Sequence, residues 1–184
     1  PREGNTRRMT QQSTQVPGDR STFTLAITLS AIVVALDQLT KWAIVKWLPL
    51  YGKEPITSFL NITHQENPGA AFSFLASASG WQRWFFTILA IVVSAVIVAW
   101  LWRLRHSGQR VLTIGLALVL GGAVGNVIDR IRLGHVIDFI QVLIAGWPFP
   151  SFNVADSAIT VGAVLLIIDA LFLSGKQQAA KANG

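Results

Sequence analysis

The chain has 184 residues, 52% of them hydrophobic and only 13% charged, with a mean hydropathy of +0.49, a balance outside that of ordinary soluble domains and suited to a membrane. The absence of cysteine excludes disulfides, thiolate catalysis and cysteine-held metal. The net charge of +6 does not point to nucleic acid, because the basic residues gather at the ends of apolar segments instead of along one face.

In chain order, PREGNTRR before Met9 reads as an expression remnant, and residues 1–20 as that remnant with a cytoplasmic tail. Four apolar segments follow, at about 21–44, 84–102, 111–128 and 154–173. Each approaches the roughly 20 residues of helix that a bilayer core of about 30 Å requires. The second carries no charge between Trp84 and Trp102. The expected fold is therefore mainly α, an integral membrane protein of four transmembrane helices in a single domain over 21–175, with a tail at 176–184.

Lys and Arg mark the cytoplasmic ends of membrane helices. Arg20 precedes the first segment, Arg103, Arg105 and Arg110 fill the second connection, and Lys176 and Lys181 follow the fourth. Both termini are expected in the cytoplasm, and the connections at about 47–83 and 129–153 outside. In the first of these, Phe59 to Glu66 and Ala70 to Leu75 are short strand candidates by their β-branched and aromatic content, so a small exterior β-sheet and outer loop are expected. The tryptophans, Trp42, Trp47, Trp81, Trp84, Trp100, Trp102 and Trp147, fall near segment ends as interfacial anchors do. No internal repeat favours a transporter built from duplicated halves.

The polar residues converge on one depth. From Phe23, a rise of 1.5 Å per residue carries Asp37 about 21 Å along an outward-running first helix. Asn126, Asp129 and Arg130 come at the outer end of the third, Asn153 and Asp156 at the outer start of the fourth, and Asp138 in the connection between them. Carboxylates at membrane depth are functional candidates by default. Asp37 and Lys41, four apart, read first as a structural ion pair. Asp129 and Arg130 stay open between a neutralised pair closing the helix end and a direct role toward substrate. Gly121 and Gly125, also four apart, read as helix packing.

Asp138, framed by Val136, Ile137, Phe139 and Ile140, and Asp156, in NVADSA at the mouth of an apolar helix, are different. Two carboxylates brought together in a low-dielectric site cannot both ionise, so one can act as acid and the other as base on a water. Each has an alternative reading: Asn153 or Asp156 could simply cap the fourth helix.

The blocks DQLTK (Asp37 to Lys41), NPGAAFSF (Asn67 to Phe74), GGAVGNVIDR (Gly121 to Arg130), GHVIDF (Gly134 to Phe139) and FNVADSAI (Phe152 to Ile159) resemble, in order and spacing, those of the bacterial lipoprotein signal peptidases, or type II signal peptidases. That resemblance implies an aspartic endopeptidase of the inner membrane that removes the signal peptide of a prolipoprotein just before its diacylglyceryl-modified cysteine. It implies Asp138 and Asp156 as the catalytic pair, and Asp37, Lys41, Asn67, Gly69, Asn126, Asp129, Arg130, Asn153 and Ala155 as supporting or substrate-binding residues. It implies a monomer without cofactor or metal that works among membrane lipids and is inhibited by cyclic peptide antibiotics. Pro68 departs from the family, which commonly has a non-proline residue there, and removes a backbone donor.

Four readings compete, one of them a purely structural membrane protein, which would leave the outer polar cluster unexplained. A serine protease with Lys41 as base could use Ser73 or Ser157. A zinc protease finds only the scattered His64, His106 and His135, with no H-E-x-x-H spacing. A proton-coupled small transporter should carry its carboxylates through the whole bilayer depth, whereas all but Asp169 gather outside.

Overall fold

The computed structural model describes residues 19–69 and 81–173. Four helices form within them: α1 (Asp19–Trp47), α2 (Trp81–Leu104), α3 (Arg110–Arg132) and α4 (Val154–Ile168), the last continued by a wider π turn over Asp169–Leu173. All four are long and apolar enough to cross a membrane. Their side chains are distributed as lipid demands. Ile88, Leu89, Ile91 and Val92 of α2 and Ile167 of α4 face outward, while Ser30, Asp37, Lys41, Asn126 and Asp129 are buried between helices. All seven tryptophans are exposed.

Glycine lets the helices approach. A Cβ on Gly121 would stand 2.7 Å from Val33 Cβ of α1, one on Gly122 would collide with the Ala155 carbonyl of α4, and one on Gly125 would stand 2.7 Å from Asp37 Oδ2. The packing reading of Gly121 and Gly125 is thus met on α1. These contacts run α1 parallel to α3, with Ser30 beside Ala117 and Lys41 beside Asp129. Helix α4 returns antiparallel, with Gly162 against Gly115. An apolar cluster of Ala26, Ile97, Leu101, Leu104, Leu112, Leu116, Ala117 and Leu120 fills the end of the bundle where α1 and α3 begin.

At the other end lies a four-stranded antiparallel sheet of β1 (Lys53–Pro55), β2 (Leu60–Asn67), β3 (Val136–Ile144) and β4 (Trp147–Pro148), in that order. Strand β2 pairs Leu60 with Val142, Asn61 with Gln141 and Ile62 with Ile140. It then shifts so that Gln65 faces Asp138 and Asn67 faces Val136. Thr63 and His64 together stand opposite Phe139, a β-bulge.

Two sequence expectations change. Residues 129–153 are not all connection: α3 continues past its expected end at about 128 to Arg132, and Asp138 lies in β3. The run Val136 to Phe139 is buried at every position. A strand covered on both faces shows no alternation of apolar and polar residues, which is why its sequence does not announce it. Strand β2 matches the segment at Phe59 to Glu66 within one residue. The second strand candidate at Ala70 to Leu75, Ser73, the opening PREGNTRR and the tail with Lys176 and Lys181 lie outside the described residues.

Candidate active site

Helix α1 presents Asp37 and Lys41 on one face, one turn apart. Lys41 Nζ lies 2.8 Å from Asp37 Oδ2, 2.8 Å from Asp129 Oδ2 and 3.1 Å from Asn126 Oδ1. Two of these contacts are hydrogen bonds, to Asp37 and Asn126, and the third is an ion pair with Asp129. Asp37, with no exposed surface, also accepts from the Ala155 amide at 2.9 Å, which ties α1 to the first turn of α4. Gln38 joins the same cluster, donating to Asp129 Oδ1 at 2.8 Å and to the Gly125 carbonyl at 3.2 Å.

The spacing reading of Asp37 with Lys41 as an ion pair agrees with this geometry. The pairing of Asp129 with Arg130 does not. Successive residues on a helix point about 100° apart, and Asp129 turns inward to Lys41. Arg130 turns toward Asn126 and Phe86, with Nη1 3.4 Å from the Asn126 carbonyl and its guanidinium 5.8 Å from the Phe86 ring centre. Its Nε is buried without a hydrogen-bond partner among the described residues, and the charges of Asp129, Asp138 and Asp156 all reach its guanidinium.

Because Lys41 occupies Asn126 Oδ1, the Asn126 amide must aim its NH₂ elsewhere. It donates to Asp156 Oδ1 at 2.7 Å. Asn153, fully buried, is the centre of the cluster. It caps α4, with Oδ1 accepting from the Asp156 amide at 2.9 Å, while Asp156 Oδ2 accepts in return from the Asn153 amide at 3.3 Å. This reciprocal box satisfies two otherwise orphaned donors at the helix start. From the same side chain, Nδ2 donates to Asp138 Oδ1 at 2.7 Å. Capping and the meeting of the two aspartates are therefore one arrangement, not alternatives.

Asp138 is held from its other side by Asn67, whose Nδ2 donates to Oδ2 at 2.9 Å. Asn67 Oδ1 in turn accepts from the Gly69 amide at 2.9 Å, with Gly69 at φ +99°, a conformation glycine adopts without strain. Pro68 sits at the middle of this Asx-type turn, where its missing donor is not called on. Burial dominates the ionisation of Asp138 and, with the charge of Asp156, pushes it up from 3.8 to about 6, against the hydrogen bonds from Asn67 and Asn153 and the charge of Lys41.

All eleven residues singled out in the sequence lie at this end of the bundle. Ala155 enters through its amide and its tight packing on Gly122, and Gly69 through the turn that orients Asn67. Gln38 was missed, although a lone amide inside an apolar span was a signal of an internal partner. Ser157 donates back to the Asn153 carbonyl at 2.9 Å, as an ordinary helical serine does. The histidines are separately engaged: His64 Nδ1 lies 2.9 Å from the Leu48 carbonyl, and His135 Nε2 3.4 Å from Glu66 Oε1.

The family model described as Signal peptidase (SPase) II matches residues 29–172. The lipoprotein signal peptidase of Ralstonia nicotianae is 55% identical over 143 residues, 78% of this chain and 82% of its own length. That of Burkholderia vietnamiensis is 56% identical over 143 residues, 78% of this chain and 85% of its own. A solved bacterial membrane enzyme, determined by the in meso method at 1.9 Å resolution, superposes with a TM-score of 0.72 at 34% identity, covering 82% of this chain and 95% of that one.

Proposed function

The chain belongs to the signal peptidase II family of lipoprotein signal peptidases, and on that premise we propose that it cleaves by an aspartate pair, Asp138 and Asp156, acting on one water. Removal of the signal peptide from prolipoproteins by a multi-pass bacterial membrane protease is the activity to be explained. The observation that carries the proposal is Asn153, which bonds Asp138 through Nδ2 and the Asp156 backbone through Oδ1, and so holds both carboxylates to one point.

Asp138, pushed up to about 6 by burial, is ionised in the resting protein above that pH and is the carboxyl to which the catalytic proton is assigned in the working cycle. Asp156, which accepts from Asn126 and from the Asn153 amide, takes the proton of the attacking water. As water adds to the scissile carbonyl, Asp138 protonates the carbonyl oxygen. On collapse, Asp156 returns its proton to the leaving amine while Asp138 recovers one from the tetrahedral hydroxyl, and the pair ends as it began. Arg130, whose guanidinium lies within reach of the charges of Asp138 and Asp156, would be the group to hold a peptide carbonyl. Lys41 Nζ is engaged by Asp37, Asp129 and Asn126 and Ser157 Oγ by the Asn153 carbonyl, an arrangement that does not favour a serine mechanism with Lys41 as base.

The substrate in this reading is a precursor whose cysteine already carries its diacylglyceryl group, cut on the amino side of that cysteine. Buried acyl CH₂ groups contribute about 0.8 kcal/mol each, enough to select the lipidated form. The aspartate end faces the exterior and both termini the cytoplasm, since Arg103, Arg105 and Arg110 lie at the opposite end. One chain carries every residue of the site, so a monomer suffices. Cyclic peptide antibiotics would act by occupying the peptide path.

Cleavage of a lipidated precursor by purified variants tests this. Asp138→Asn and Asp156→Asn should each abolish turnover, the double variant should be hardly worse than either, and Ser157→Ala should stay near native. Near-native turnover in either aspartate variant would overturn the mechanism.

A further inference from the structure

Helices α1 and α3 touch midway, where Ser30 Oγ donates to the Ala117 carbonyl at 2.8 Å and Gly121 lies against Val33. Toward their N-terminal ends they part into an open groove of about 470 Å³, at the far end of the bundle from the aspartates. Thr22, Leu25 and Leu29 line it from successive turns of α1, and Arg110, Thr113 and Ile114 from the first turn of α3. The walls are apolar along the membrane, and among the described residues the one charged lining group is Arg110. It is exposed, and no described side chain provides it with a carboxylate.

We propose that this groove binds an anionic phospholipid, with one acyl chain along Leu25, Leu29 and Ile114 and the headgroup phosphate on the Arg110 guanidinium. Charge complementarity identifies the occupant. A guanidinium presents a planar fork of donors that matches a phosphate with two parallel bonds, and an apolar slot opening on lipid has an acyl chain for its natural filler. A zwitterionic lipid also carries a phosphate, but its ammonium would face the same end as Arg103, Arg105 and Arg110, so the net-negative headgroup is the one favoured. A soluble anion fits less well, because free phosphate makes no use of the apolar walls.

The orientation proposed above only names the leaflet, the cytoplasmic one. Lipid binding in detergent is independent of it and of catalysis, so failure of the one reading is distinguishable from failure of the other. The test is retention of phosphatidylglycerol against phosphatidylcholine by the purified full chain, read by native mass spectrometry and by the thermal shift each lipid produces. The intact protein should prefer phosphatidylglycerol. Arg110→Gln should lose about fivefold in affinity for it, as one basic residue contributes near a membrane surface. Ile114→Trp, which fills the slot and leaves the charge, should lose it too, while Arg103→Gln should keep it. Undiminished retention by either groove variant, equal retention of the two lipids, or an equal thermal shift with inorganic phosphate would overturn the proposal.

Discussion

Replacing Asp138 by Asn should stabilise the folded protein at neutral pH while destroying its activity, and the sign of the effect should reverse in acid. In the fold, Asp138 titrates at about 6 instead of 3.8, so the native state binds its proton more tightly than the unfolded chain. The stability this confers is complete below about 3.8 and is lost as the pH rises through about 6. Above that, keeping the buried carboxylate ionised costs about 3 kcal/mol. Asparagine never incurs that cost. It does present an NH₂ where one of the two donors, Asn67 Nδ2 or Asn153 Nδ2, now finds an oxygen. Neither amide can flip without losing its own acceptor role toward Gly69 or Asp156, so one buried bond goes, at about 1–2 kcal/mol. The variant should therefore be more stable than the parent by about 1–2 kcal/mol at pH 8 and less stable by a similar amount near pH 4. Thermal unfolding in detergent should show a relative swing of roughly 10 °C between those limits. A difference that does not change with pH, or a variant less stable at pH 8, would refute this account of what burial does to Asp138.

Lys41→Met should destabilise the fold by about 3–5 kcal/mol, because it strands Asp37 and Asp129 without a counter-charge; adding Asp37→Asn and Asp129→Asn should recover much of the loss in the same unfolding measurement. Gly122→Ala should lower turnover, since its Cβ must push α4 away at Ala155, next to Asp156, at a cost of about 1–3 kcal/mol. Native kinetics in that variant would show that the α3–α4 approach does not set the position of Asp156.

The four spans are legible because a membrane helix is a long local signal, and helical rise alone carries Asp37 to the outer depth of the other carboxylates. The Asp37–Lys41 pair is legible for the same reason: its two members are one turn apart. What joins them to the rest is not. Lys41 reaches Asp129 and Asn126 across a helix interface, and such partners depend on how glycines let α1 and α3 approach. Adjacency in sequence left Asp129 and Arg130 open between a mutual pair and a role toward substrate, and helical geometry turns the neighbours apart. At Asn153 and Asp156 capping and chemistry looked like rivals, because sequence shows residue types but not that one side chain can serve both with different atoms. Strand β3 was hidden by its own burial, and with it the fact that Asp138 sits on a hydrogen-bonded ladder instead of a loose connection.

The extra residue in β2 has a consequence for which side chains neighbour Asp138. Side chains alternate between the faces of a strand, so the two-for-one step at Thr63 and His64 opposite Phe139 exchanges the faces of everything beyond it. With that step, Gln65 and Asn67 share a face with Asp138, and Asn67 can donate to it. Without it, His64 and Glu66 would occupy that face, and a third carboxylate would stand where an amide now does. Like charge would then push the proton-binding strength of the pair further upward. The count of residues between Leu60 and Asn67 thus bears on the acidity of a group seventy positions away as directly as any substitution beside it.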